Sequence, residues 1–138
     1  MTREDLKGYK YTQEWIKERF EYIEELQTTI EKITTILDDM PKGSRKVQDS
    51  MAEKIAELQD SLSNLLSRVV EADKKQKEIL DQLDKVEQPY RLILDKMYIQ
   101  GKTLVTVASE LGYSYVHMKR MHGYSLNKFD NVIPNVIE

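Results

Sequence analysis

The sequence predicts an all-α protein: a long antiparallel helical hairpin, coiled-coil-like, followed by a small helix-turn-helix domain. Three observations predict it. The 138 residues are 33% charged with only 5 Gly and 3 Pro, a composition of long solvated helices rather than of a turn-rich β fold. Apolar residues recur at alternating steps of three and four through most of residues 16–86. Beyond residue 87 that regularity gives way to shorter segments punctuated by Gly101, Gly112 and Gly123. This sets the expected boundary, with residues 1–87 as hairpin and residues 88–138 as the second domain.

In the first long helix Ile23, Leu26, Ile30, Ile33 and Leu37 form a seam of 3.5-residue period, which Ile16 extends by one heptad. Thr12 is the expected N-cap, and Asp38-Asp39-Met40-Pro41 ends the segment. Gly43 permits a sharp turn, and Ser44 or Asp49 is expected to cap the second helix. In that helix Met51, Ile55, Leu58, Leu62, Leu65, Val69, Ala72, Gln76, Ile79, Leu83 and Val86 continue the pattern without a break. A helix of about 40 residues is roughly 60 Å long, and so narrow a stripe needs a partner helix. The first helix, counted from Thr12, is too short to cover it all, which leaves roughly Val69 to Val86 for the C-terminal domain or a second chain. A homodimer is expected, with polar Gln76 at a core position setting register; the plainer alternative is a monomer with Gln76 on a wet edge. Trp15, Phe20 and Tyr22 are expected to pack across the hairpin rather than to form a partner surface.

In the C-terminal third, Pro89 suits the first turn of a helix that carries Tyr90, Leu92, Ile93, Leu94, Met97 and Tyr98 and ends at Gly101. Thr103 is the natural N-cap of the next helix, whose Leu104, Val107, Ala108 and Leu111 share one face. Gly112 fits the left-handed position after a helix end, and Ser114 caps the last helix. Small Ala108 at the crossing, Gly112 four residues later, and apolar Val107, Leu111, Met118 and Met121 meet the spacing that a helix-turn-helix demands.

Charge divides along the same line. Residues 1–43 hold seven basic and ten acidic residues, residues 44–87 eight and ten, and residues 88–138 six and four. The overall charge of -3 therefore conceals one net-basic segment. The outer face of the last helix offers Ser114, Tyr115, His117, Lys119 and Arg120 to duplex DNA, with Val116 suited to a thymine methyl group. Lys119 contacts phosphate, and Arg120 either phosphate or a guanine edge. Lys102 and Thr103, at the start of the preceding helix, suit a phosphate. Four basic residues against one acid, Glu110, between Lys102 and Lys128 make a modest field, so useful binding calls for a dimer or a DNA-bound partner.

The segment Val86 to Phe129, and in particular YRLILDKMYIQGKTLVTVASELGYSYVHMKRMHGYSL, resembles region four of bacterial sigma factors. It is similar to the small sigma-like regulators of Gram-positive phages and prophages, in which a helical segment and a connector like Met40-Pro41-Lys42-Gly43-Ser44 precede the helix-turn-helix. The resemblance spans about residues 20–129, and GYSYVHMKRMHG is its most specific part. It implies a regulator of phage gene transcription in the bacterial cytoplasm, with double-stranded DNA, and RNA polymerase, as partners. Three departures stand beside it. There is no room for sigma region two, so promoter melting is not expected. Gly123 interrupts the recognition helix where basic residues usually continue. The tail NVIPNVIE is apolar and either packs back or docks on a partner.

Other chemistries are not expected. With no cysteine there is no thiolate metal site and no cysteine nucleophile. His117 and His122 are five apart with no acidic cluster, so neither a metal nor a cofactor is expected. Glu24-Glu25 and Asp38-Asp39 sit among lysines and read as solvated faces, not catalytic pairs. No phosphate-cradling Gly loop occurs, and an enzyme is not expected. The polar start MTREDLKGYK shows no secretory signal, and no apolar run approaches a membrane span of about 20 residues. The competing reading is a protein-interaction module. In it the coiled coil binds a host protein such as RNA polymerase, and the helix-turn-helix is not used for DNA.

Overall fold

The computed structural model describes residues 1–41 and 45–132, and among these every regular element is helical. The order is α1 (Arg3–Lys7), α2 (Tyr9–Asp38), α3 (Arg45–Asp84), α4 (Tyr90–Leu94), which continues into a π-helical turn (Asp95–Ile99), then α5 (Leu104–Leu111) and α6 (Tyr115–Asp130). No described helix is long and apolar enough to cross a membrane. The expected turn at Gly43, the cap at Ser44, and the tail beyond Val132 lie outside the described residues. The chain divides into two compact units: Met1–Gln13 with Lys74–Glu138, and Glu14–Asp73. Both α2 and α3 run from one unit into the other.

The unit of residues 14–73 is built on the heptad seams. Ile23, Leu26 and Val69 are buried, and Ile16, Ile30, Ile33, Leu37, Met51, Ile55, Leu58, Leu62 and Leu65 are partly so. The guanidinium of Arg68 lies 5.7 Å from the ring centre of Trp15, and that of Arg19 5.8 Å from it. A cation over an indole face is attractive, and the long arginine stems cover apolar surface as well. Phe20 and Tyr22 do not pack as expected: about half of each is exposed. At 100° per residue they fall to either side of the Ile16–Ile23–Ile30 line.

The other unit gathers both ends of the chain around one core. Leu6 and Tyr9 pack with Ile79, Leu83 and Val86 of the α3 end, with Leu94, and with Leu126 and Phe129 of α6. Leu6, Leu94 and Phe129 have no exposed surface. The stretch of α3 that lacks a partner on sequence grounds is thus covered, for Ile79, Leu83 and Val86, by this chain's own α1, α4 and α6. Polar bonds reinforce the packing. Arg3 donates to Asp130 from its backbone N–H at 2.7 Å and from its guanidinium at 2.6 Å, and to Asn127 Oδ1 at 2.7 Å. The amide of Gln82 donates to the carbonyls of Met1 (2.8 Å) and Phe129 (2.9 Å). Gln76 is 6% exposed, and its Oε1 has no hydrogen-bond partner among the described residues.

Several local expectations are corrected. Helix begins at Arg3, not at Thr12, because Asp5 reaches back to the Thr2 N–H at 2.9 Å and starts a first short helix. Thr12 lies inside α2, where its N–H bonds the Gly8 carbonyl at 3.0 Å. Asp49 also lies inside a helix, since α3 already starts at Arg45. Gly123 does not interrupt α6, which runs unbroken from Tyr115 to Asp130. Met118, Ser125, Leu126 and Phe129 keep one face of that helix buried on both sides of the glycine, and this packing outweighs its low helix propensity.

If the N-terminal helix is an integral part of this core, Leu6→Ala should destabilise the unit by about 2–5 kcal/mol, the usual cost of a fully buried leucine. Urea denaturation followed by circular dichroism measures it. A change within about 0.5 kcal/mol, the range of ordinary surface substitutions, would show that α1 contributes little.

Candidate functional site

The helix following α4 ends in a widened turn. The N–H of Gln100 bonds the Asp95 carbonyl and that of Lys102 the Lys96 carbonyl, both at 2.9 Å, and Gly101 takes a φ of 75°. The chain then enters α5 through Thr103, whose hydroxyl oxygen accepts from the Thr106 N–H at 3.2 Å. At the other end of α5, Gly112 has φ 74°, and the Tyr113 and Gly112 N–H groups bond the carbonyls of Ala108 and Ser109. This pair of bonds satisfies two carbonyls that a helix end leaves open, and it requires a left-handed residue that costs little only for glycine. Ser114 comes next and caps α6 by accepting from the His117 N–H at 3.2 Å. Beneath the turn Ile93, Val107, Ala108 and Met118 form a second buried cluster, edged by Leu104, Leu111, Tyr113 and Met121. The cluster and the larger core hold opposite ends of α6 by the same face, so its other face is presented outward.

The residues expected to meet DNA are distributed unequally. Ser114, Tyr115, His117, Lys119 and Arg120 lie together on the first two turns of α6, and all are exposed. Lys119 Nζ stands 5.9 Å from the Tyr115 ring centre, and His117 meets Tyr113 edge-on at 4.9 Å. Neither Lys119 nor Arg120 has an acidic partner among the described residues. Val116 is 64% exposed on the same helix. Lys102 is placed differently: its Nζ lies 2.7 Å from Glu110 Oε1, while Lys96 holds Oε2 of the same carboxylate at 2.9 Å. The hydrogen bonds from Lys102 and then Lys96 hold the Glu110 carboxyl below its ordinary range. The Thr103 hydroxyl is engaged at its own cap, with Thr106 Oγ1 a further 2.9 Å contact.

Sequence spacing missed two features. The first is the double lysine clamp on Glu110, whose members are distant in sequence and carry no periodic signature. The second is the role of His122. It is half-buried, and its Nε2 lies 2.6 Å from the Tyr98 hydroxyl. Burial, and then the positive charges of Lys7 and Arg3, push its imidazole below the usual range. Burial likewise raises Tyr98. With both groups neutral, the Tyr98 hydroxyl donates and His122 Nε2 accepts, which satisfies both atoms.

An open groove of about 760 Å³ lies beside the C-terminal half of α6, lined by Lys85, Glu87, Tyr90, Tyr124, Asn127 and Lys128 among others. Its Lys128 is tied to Glu87 at 2.6 Å and sits over Tyr90, which raises the lysine above its usual range. Among the described residues no group of three or more His, Asp or Glu is placed to hold a metal.

His122 supplies a pH test. Its folded value is depressed, so the unfolded chain takes up the proton first, and stability falls as pH drops through the ordinary imidazole value of 6.5. Glu110, held below its usual 4.5, enters only at lower pH. Thermal melts from about pH 7.5 to 5.5 should show this loss, and His122→Gln should flatten it. An equal slope in both proteins would remove His122 as the cause.

The chain matches no family model, no curated protein and no solved structure.

Proposed function

We propose that this protein is a sequence-specific DNA-binding transcriptional regulator that uses α5 and α6 as a helix-turn-helix resembling sigma region four. The observation that carries the reading is the outward face of α6. Two cations without acidic partners among the described residues, Lys119 and Arg120, stand beside an exposed Val116 on a helix whose start is fixed by the Gly112 turn and the Ser114 cap. Free cations on a rigid helix give phosphate attraction, and a planar guanidinium and an apolar methyl surface give base discrimination. In this reading Lys102 serves phosphate only after it leaves Glu110, and Ser114 and Thr103 act through the helix ends that they cap. The resemblance places the regulated genes in a phage or prophage, and the protein in the cytoplasm of the bacterial host.

In the same proposal α2 and α3 act as an antiparallel coiled-coil hairpin through residues 14–73, while residues 1–13 and 74–87 belong to the unit that carries α5 and α6. A homodimer is part of it because one module offers few free cations, and two modules on one duplex multiply their affinities. The second reading, docking on host RNA polymerase through the long helices, is favoured by Phe20, Tyr22, Ile36 and Val47, which each expose about half of their surface.

Replacing both Lys119 and Arg120 by Ala separates the two readings. DNA affinity should fall, the slope of log K against log salt should flatten by roughly one for the lost Lys119 phosphate contact, and discrimination between bases should weaken with the loss of Arg120. Unchanged DNA binding would sink the DNA reading. Light scattering at micromolar concentration tests the dimer: a mass near twice 16.3 kDa is expected, and 16.3 kDa contradicts it.

A further inference from the structure

Gly123 has no structural reason to be glycine. It lies in the interior of α6, its φ is not positive, and a Cβ built there meets nothing within 4 Å. An alanine would fit and would favour the helix. Yet the position falls on the face that carries the free cations. At 100° per residue Val116, Arg120 and Gly123 lie within about 60° of one another around α6, with Lys119 and Tyr124 flanking them on opposite sides. All five are exposed. The glycine stands eight residues beyond Tyr115, or about 12 Å along the axis.

The dimensions of duplex DNA give this bare spot a use. A helix with its side chains is about 10–12 Å across, and the major groove is about 12 Å wide. A helix that enters the groove by its N-terminal turns must pass the sugar–phosphate wall as it leaves. The tightest approach then falls a few turns in, where any side chain on the DNA side thickens the helix. We propose that Gly123 is the point at which the phosphate wall of duplex DNA passes closest to α6. Val116 and Arg120 then face base edges, and Lys119 and the Tyr124 hydroxyl flank the wall. This rests on the DNA-binding reading and adds a boundary to it: the footprint on α6 ends at the third turn, before Asn127, which Arg3 occupies.

The test uses the full chain and a fluorescent duplex that the wild-type protein selects from a randomised pool. Gly123→Ala and Gly123→Leu are compared with Ser63→Leu, an exposed helical position in the other unit. Gly123→Ala should melt a few degrees higher, as expected for an open helical site, and yet bind several-fold more weakly. Gly123→Leu should lose about tenfold or more, equivalent to about 1.4 kcal/mol, with helical content unchanged, and Ser63→Leu should bind as wild type. Wild-type affinity in both Gly123 variants overturns the proposal, as does an equal loss in Ser63→Leu. If Gly123→Leu fails to fold, the alanine variant decides. A wild-type protein that selects no duplex overturns the DNA reading itself, and this proposal with it.

Discussion

The unit that carries the candidate site depends on the burial of Phe129 and Leu126 against Leu6, Tyr9, Ile79, Leu83, Val86 and Leu94. That contact fixes which face of α6 points inward, and therefore which side chains are offered to a ligand. The smaller cluster around Met118 and Ala108 fixes the same helix at its N-terminal end. Held at two points, α6 presents Val116, Lys119 and Arg120 together because its interior leaves them nowhere else to point. The caps at Thr103 and Ser114 and the left-handed Gly112 set where the helices begin and end. The core sets their rotation.

Much of this is legible in the sequence, because it is local. Thr103, Gly112 and Ser114 announce their caps by chemistry that acts over three or four residues. The heptad seams from Ile16 to Val86 announce buried faces by period alone, and the apolar residues on them are buried or partly buried. What escapes is long-range. Leu6 and Tyr9 sit in a stretch too short for a periodic signal, and most of their partners lie seventy or more residues away. The same distance hides Arg3 on Asp130 and Gln82 on the Met1 carbonyl. Gly123 reads as an interruption only while propensity is weighed without the packing of Ser125, Leu126 and Phe129 beyond it.

The candidate site divides in the same way. Five of the seven residues expected to meet DNA lie side by side at the start of α6, a direct result of helical adjacency. Lys102 lies instead in an ion pair with Glu110, which a charge count treats as one stray acid but the geometry makes a shared anchor for two lysines. The acid neutralises much of the positive field near the start of α5. Free positive charge is thereby concentrated on α6, where a duplex would meet it beside groups able to distinguish bases.

The proposed function makes α6 the surface that meets DNA. Amide chemical-shift mapping of the isotope-labelled protein, titrated with a short duplex of selected sequence, addresses it most directly. Perturbations concentrated between Ser114 and Tyr124, with little change in residues 14–73, are expected. Perturbations confined to the long helices, or none at saturating duplex, would contradict it.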